Sequence, residues 1–181
     1  MKTTHPIKTW ILLVVAGLCA LTLMTIRVNA DPTQAIQNTG DKYDWTGELV
    51  KLDSSTRVMT VKTRVVGSQA PAEFEHFKAG DRIVVTWSGF YNYGDGINGA
   101  MPYDTTKWSE AGEYAFPVEF VSYDSAHQEV TFKILIPSGS VEALKSLKPG
   151  EWIRATSPHH PADEKAVIVD VKPYVGSNTK G

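Results

Sequence analysis

Apolar and polar residues alternate along much of the chain from Trp45 onward, and this pattern predicts short β-strands. Residues 58–66 show the alternation most clearly, because every second residue is either apolar or threonine. Residues 130–136 repeat it, and clusters of turn-forming residues separate these segments at regular spacing. Several short strands with regularly spaced turns are typical of sandwiches and barrels. We therefore predict an all-β fold.

Matching segments recur along the chain at one long and nearly constant spacing. Residues 48–54 (ELVKLDS) are echoed by residues 119–125 (EFVSYDS). The segment at 77–87 is echoed by 147–157, and both copies contain an apolar residue, a turn with glycine and an acid, and then a strand pattern. A long, co-linear period of this kind indicates an internal repeat.

The repeat divides the chain into predicted units. We expect a first β repeat of four strands at 45–104, a linker at 105–115, and a second β repeat of four strands at 116–174. Ser140 is a capping residue followed by helix formers, so one short helix is expected in the second repeat. Units of this size bury little surface alone, which favours packing of the two repeats against each other.

The order of strand, Asp-containing turn, strand, loop, Phe77-Lys78-Ala79-Gly80-Asp81 and strand resembles small OB-like β-barrel modules of exported bacterial proteins. Periplasmic copper chaperones are one such family. The resemblance implies two tandem OB-like repeats, packed either as one small β-barrel or as a barrel pair. It does not extend to the copper ligands of those chaperones, which are a His, two Met and a Trp. The methionines of this chain beyond residue 30 are Met59 and Met101, and neither adjoins a histidine.

The segment from Met1 to Ala30 has the layout of a secretory signal peptide. Lys2 and Lys8 precede an uncharged apolar stretch at 10–26, and Val28 and Ala30 suit cleavage before Asp31. The alternative is an uncleaved anchor, because an apolar stretch of this length is about the shortest that spans a bilayer. We predict a periplasmic or secreted protein without stable membrane insertion after cleavage. A flexible leader at 31–44 and a disordered tail at 175–181 are also expected.

Cysteine content and charge narrow the functional classes. Cys19 is the single cysteine and lies in the signal segment, so the rest of the chain has no disulfide and no thiolate metal site. Three of the 18 basic residues and none of the 20 acidic ones precede Asp31, which leaves a formal charge of −5. This charge argues against nucleic acid as a partner. A small molecule, a glycan or an envelope protein is the expected partner.

The loop after the third strand of the first repeat is the predicted ligand-binding site. Aromatic faces beside fixed polar groups are suited to sugars and other small ligands. The alternative is that these aromatics close the end of the barrel. The run at 95–99 (DGING) also suggests calcium, but it lacks the remaining ligands of an EF-hand. The predicted ligand-binding residues are Trp87, Tyr91, Asn92, Tyr93, Asp95 and Asn98.

The corresponding loop of the second repeat carries the predicted metal site, His159, His160 and Asp163. Imidazole and carboxylate groups suit a divalent transition metal, which is the cofactor that this loop implies. The alternative is a solvated loop between Pro158 and Pro161. Because the two loops occupy equivalent positions in the repeats, they would form one composite site if the repeats bring them together.

Catalytic motifs are not recognisable in the sequence, since neither a nucleophile elbow nor an HExxH motif is found. We therefore predict an exported, non-catalytic binding or assembly module of the cell envelope. The alternative is a periplasmic metal-binding protein that uses the His159-His160 loop. A small barrel enzyme is the third possibility.

Overall fold

The computed structural model of the protein describes residues 42–88, 96–108, 112 and 114–174. The described residues form mostly β-structure, which confirms the all-β prediction. The elements, in chain order, are β1 (Lys42–Asp53), β2 (Val58–Arg64), α1 (Ala70–Phe74), β3 (Arg82–Ser88), β4 (Gly96–Pro102), β5 (Ala115–Asp124), β6 (Glu129–Leu135), α2 (Ser138–Leu144), β7 (Trp152–Pro158) and β8 (Asp170–Pro173).

The eight strands form a single antiparallel sheet with the order β4-β3-β5-β6-β2-β1-β7-β8. This order is symmetric. If each strand of the first half, β1 to β4, is exchanged for its counterpart in the second half, β5 to β8, the result is the same order read from the other end. The symmetry passes through the central β2–β6 pair, where Val61 lies directly opposite Phe132. Both side chains are fully buried.

The two halves of the chain interleave in the sheet. The β3–β4 hairpin of the first half pairs with β5, with Ile83 opposite Val118. The β7–β8 hairpin pairs with β1 in the matching register, with Ile153 opposite Gly47. The sheet therefore does not divide into two self-contained four-stranded units, because each half completes the pairing of the other.

The turns of the β1–β2 and β5–β6 hairpins explain why the two hairpins have equivalent strand registers. In the first turn, the Asp53 carboxylate accepts hydrogen bonds from the backbone N–H groups of Ser55 and Thr56, at 3.0 and 3.1 Å. Hydrogen bonds from Ser55 and Thr56 lower the pKa of Asp53 to about 2. Arg57 then takes a positive φ of 59°, and Gln128, its counterpart in the second half, takes a φ of 53°. Both turns thus reverse the chain by the same backbone conformation.

One aromatic core joins the two halves. Trp45 stacks on Phe116 with 5.6 Å between ring centroids, and Trp87 lies 5.5 Å from Trp45. Phe132 closes the cluster at 6.2 Å from Trp45. The indole N–H of Trp45 donates to the buried hydroxyl of Ser157 at 2.9 Å, so the polar atom in this core is satisfied.

The two helices cover the end strands of the sheet. Glu73 of α1 accepts the backbone N–H of Ala100 in β4 at 2.6 Å. Ser140 of α2 accepts the N–H of Val171 in β8 at 2.9 Å. Unpaired N–H groups on an edge strand would otherwise favour pairing with another chain. The sequence predicted one helix, in the second half, and missed α1, which has only five residues.

Several element boundaries differ from the prediction. β1 begins at Lys42, within the predicted leader, and β5 begins at Ala115, within the predicted linker. The last strand, β8, begins at Asp170. Residues 166–168 are buried without being part of a strand. The predicted signal peptide, most of the predicted leader and the predicted tail lie outside the described residues.

Within the described part of the chain, neither helix is long and apolar enough to cross a membrane.

Candidate binding site

The loops that follow β3 and β7 are tied together at their bases by Tyr114. The backbone N–H of Trp87, near the end of β3, donates to the Tyr114 carbonyl at 2.9 Å. The N–H of Tyr114 donates in turn to the carbonyl of His159, just beyond β7, at 2.9 Å. One residue thus positions the start of both loops, which the sequence had identified as candidates from their composition.

The backbone of Tyr114 is strained. Its φ is 63°, in the left-handed region that favours glycine and that L side chains rarely adopt. Such a conformation costs about 1–3 kcal/mol and persists only where the surroundings impose it. Backbone strain of this kind concentrates at functional sites. Arg57 and Gln128 take a similar φ in hairpin turns, so it is the position of Tyr114 between the two loop bases that marks this end of the sheet as the candidate site.

Three rings pack together at this junction. The rings of Tyr43 and Tyr114 meet edge to face at 5.0 Å, and the His159 ring lies 4.6 Å from that of Tyr114. Tyr43 is buried, and its hydroxyl donates to the Tyr114 carbonyl at 3.3 Å. Burial raises the pKa of the Tyr43 phenol, a shift that its hydrogen bond with Ser157 partly offsets. The phenol therefore stays neutral and serves as a fixed hydrogen-bond donor.

A second group of side chains holds the far part of the loop after β7. The Arg82 guanidinium pairs with the Glu164 carboxylate at 3.0 Å and lies over the Tyr103 ring at 4.0 Å from its centroid. The Tyr103 hydroxyl also donates to Glu164. The hydrogen bonds from Tyr103 and Arg82 lower the pKa of Glu164, and the bond to Glu164 raises the pKa of Tyr103. We call Arg82, Tyr103 and Glu164 the loop clamp.

The loop clamp predicts a pH dependence of stability. The pKa of Glu164 is lowered on folding, so its contribution is present above the ordinary value of 4.5 and lost as the pH falls through the folded value. The pKa of Tyr103 is raised, so its contribution is present below 10.0 and lost as the pH rises through the folded value. We expect Glu164→Gln to destabilise the protein near neutral pH, and this difference to shrink in acid. Urea unfolding of both proteins from neutral to acidic pH measures this difference in the free energy of unfolding.

The matched control for the loop clamp is Glu142→Gln. Glu142 also forms an ion pair, at 2.6 Å with Lys145, but it is exposed and its partner lies on the same helical turn. Exposed pairs of this kind contribute little to stability. We expect Glu142→Gln to change the free energy of unfolding much less than Glu164→Gln at neutral pH. An equal effect of the two variants, or an effect of Glu164→Gln that does not change with pH, would contradict the clamp.

The structure places the predicted ligand-binding residues in different environments. Trp87 is only 2% exposed and belongs to the aromatic core, whereas Asn98 is exposed on β4. Tyr91, Asn92, Tyr93 and Asp95 lie outside the described residues. The backbone N–H of Trp87 donates to the Tyr114 carbonyl at the base of the loop. The ligand-binding roles of all six residues stay predictions.

The predicted metal ligands lie on one loop but point to different surroundings. His159 is half-buried against the two tyrosines, and His160 is exposed. One oxygen of Asp163 accepts the backbone N–H of Lys165 at 2.8 Å. In the ranges that the structure describes, no group of three or more His, Cys, Asp or Glu residues could hold a metal ion. The metal site stays a prediction, which metal analysis of the purified protein would decide.

Sequence reasoning missed the residues that join the loops. Tyr43 and Tyr114 are separated by the same offset as the repeat, and Tyr103 lies on a Pro-Tyr pair that also recurs at that offset. The repeat offset alone could have identified Tyr43 and Tyr114 as equivalent positions, and Tyr103 and Tyr174 as another equivalent pair. It could not show that Tyr43 and Tyr114 meet, because that contact depends on the interleaving of the two halves.

No model of a known protein family matches the chain, and no curated protein matches it. A solved structure of the siderophore-interacting protein from Acinetobacter baumannii aligns with 77% of this chain at 12% identity, with a TM-score of 0.28. The alignment covers 44% of that protein, so this chain spans less than half of its length. A TM-score this low does not establish a shared fold.

Proposed function

We propose that the protein is an exported, non-catalytic binding or assembly module of the cell envelope. Its binding surface would include the loops after β3 and β7. The observation that supports this surface is the double hydrogen bonding of Tyr114, which fixes the bases of both loops to one strained residue. A ligand that contacts both loops would then meet two parts of one surface.

A rigid base is what such a surface needs. Binding residues are often found on loops that a rigid scaffold positions. Here the buried Tyr43 packs against Tyr114 at the base of the two loops. The loop clamp holds the loop after β7 at Glu164. The partner is a small molecule, a glycan or an envelope protein. We also propose that the two halves are duplicated OB-like units that share one barrel-like core, since their strand pairings match at the spacing of the sequence repeat.

Site-specific photo-crosslinking in the exported protein tests this function. A photoreactive amino acid at His160, which is exposed on the second loop, is expected to form discrete adducts in the cell envelope. Replacing Tyr91 and Tyr93 with alanine is expected to reduce the adduct yield about fivefold or more, as loss of aromatic contacts does in binding sites. The free energy of unfolding should change by less than about 0.5 kcal/mol, as for exposed substitutions.

The control carries the photoreactive residue at Lys145, exposed at the end of α2. The same adducts from both positions, or none from His160, would overturn the proposed binding surface. A sharp fall in melting temperature for the Tyr91 and Tyr93 variant with unchanged adducts would mean that these aromatics are structural.

A further inference from the structure

A row of polar side chains crosses five strands on one face of the sheet. Register places Lys51 of β1 opposite Thr60 of β2, Thr60 opposite Lys133 of β6, Lys133 opposite Glu119 of β5, and Glu119 opposite Arg82 of β3. Neighbouring strands are about 4.8 Å apart, so the four intervals span roughly 19 Å. The row therefore places four charged groups, interrupted by the buried Thr60, in one line across the sheet.

Two depressions follow this row and join into one groove. The first, of about 320 Å³, begins at Lys51, and the second, of about 270 Å³, ends at Lys165. They share the lining residues Val58, Glu119 and Lys133, so they adjoin each other. We call the two together the cross-strand groove. Its volume is in the range that small ligands and short peptide segments occupy.

Each end of the cross-strand groove carries one lysine that differs from the other cations of the groove. Lys133 pairs with Glu119 at 2.7 Å, and Arg82 pairs with Glu164 at 3.0 Å. Among the residues that the structure describes, neither Lys51 nor Lys165 forms an ion pair. These two cations therefore lie at opposite ends with the paired charges between them, and the ionised Asp53 also lines the end at Lys51. Anionic groups of a ligand would complement the two lysines.

The corresponding row of the other half has a different chemistry. Its residues, in the same order, are Ser122, Thr131, Lys62, Glu48 and Trp152. Serine replaces the terminal lysine, and tryptophan replaces the arginine. Lys62 is held between two acids, at 2.9 Å from Glu48 and 3.2 Å from Glu129. The lysine and the arginine that end the first row are therefore absent from the matching row, whose backbone positions accept other residues.

The floor of the cross-strand groove is aliphatic. Its apolar lining residues are aliphatic, and none of the described lining residues is aromatic. Val58 and Leu135 are half-buried and offer contact surface, whereas Pro117, Val118, Ile134 and Val167 are buried beneath it. Sugar rings bind best against aromatic faces, whereas aliphatic side chains of a peptide pack well on an aliphatic floor. The lining therefore favours a peptide over a glycan.

We propose that the cross-strand groove binds an extended, acidic segment of a partner envelope protein. A segment of about six residues spans roughly 19 Å at about 3.3 Å per residue. Its terminal acidic side chains meet Lys51 and Lys165, and its central aliphatic side chains pack on the floor near Leu135. This inference rests on the proposed binding function and names the class of partner.

Fluorescence anisotropy with a labelled synthetic peptide tests the assignment. The probe has glutamate at both ends and leucine and valine between them, with a length of about six residues. Lys51→Ser together with Lys165→Ser is expected to weaken binding about three- to tenfold at low salt, as loss of two exposed charge contacts does. The loss should shrink at high salt because screening already weakens such contacts. Ser122, at the position matching Lys51, shows that the fold accepts serine there.

The control variant is Lys107→Ser together with Lys148→Ser, which removes two exposed lysines that do not line the groove. It should bind the peptide like the native protein. Equal binding by the groove variant and the native protein, with both folded, would overturn the assignment. So would equal binding of a peptide with lysine at both ends. Tighter binding of an acidic oligosaccharide than of the peptide would overturn it in favour of a glycan.

The outcomes separate this inference from the proposed function. If the peptide fails to bind the groove while the crosslinks at His160 persist, the groove assignment is wrong and the binding function stands. If the peptide fails to bind and the exported protein with the photoreactive residue at His160 also forms no adducts, the proposed function fails together with the inference.

Discussion

Replacing Phe132 with alanine is expected to lower the free energy of unfolding by about 3–5 kcal/mol. Phe132 is fully buried, and its ring lies 6.2 Å from Trp45 and 6.3 Å from Phe116. It also lies opposite Val61 at the centre of the sheet, where the two halves meet. The cavity would open between both halves at once, so no single element could close it by a local shift. Chemical denaturation of the purified protein measures the loss.

The size of this effect matters because folded domains are stabilised by only about 5–15 kcal/mol. The control is Thr131→Ala, on the same strand but half-buried, which should change stability by less than about 1 kcal/mol. A double-mutant cycle of Phe132→Ala with Val61→Ala should show a coupling of about 0.5 kcal/mol or more, since the two residues are direct neighbours. A loss below about 1 kcal/mol for Phe132→Ala would contradict a shared core.

The strands could be predicted from the sequence because each strand and turn is determined by residues that are close together in the chain. The alternation at 58–66 depends on which residues one face of a strand buries, and Met59, Val61, Thr63 and Val65 are all buried in the structure. The turn at Asp53 is equally local, because its carboxylate bonds to residues two and three positions later. Properties of this kind need no knowledge of the partner strand.

Strand pairing could not be predicted in the same way. The repeat left open whether the two halves form one barrel or a barrel pair, and the structure pairs β3 with β5 and β7 with β1. An apolar strand such as β3 can be buried equally well against either neighbour, so alternation does not select one. The matching registers of Ile83 with Val118 and of Ile153 with Gly47 become visible only when the pairing is known.

The same reason limits what could be foreseen about the candidate site. Loop composition selected the segment that contains His159, and the structure brings the base of that segment to Tyr114. The loop clamp and the cross-strand groove combine Arg82 with Glu164, which are 82 residues apart. Such combinations follow from interleaving, which composition and spacing do not encode. Short elements such as α1 and apolar coil such as 166–168 also lack a period long enough to recognise.

Replacing Gly67 with alanine is expected to destabilise the protein by about 3 kcal/mol or more, because the new methyl group would overlap backbone atoms. A Cβ at this position would lie 1.7 Å from the carbonyl oxygen of Asn98 and 2.5 Å from its carbonyl carbon. The backbone approaches this closely because the N–H groups of Val66 and Gly67 both donate to the Ile97 carbonyl, at 2.8 and 3.2 Å. Backbone atoms cannot turn away as a flexible side chain can, so β4 would have to separate from the segment that follows β2.

Gly139→Ala provides a control with the opposite sign. Gly139 lies inside α2, and nothing lies within 4 Å of a Cβ built there. Alanine favours a helix over glycine by about 0.5–1 kcal/mol, so this variant should be slightly more stable than the native protein. Chemical denaturation of both variants gives the comparison. If the free energy of unfolding of Gly67→Ala lies within about 1 kcal/mol of the native value, the close approach between Gly67 and β4 is not required for the fold.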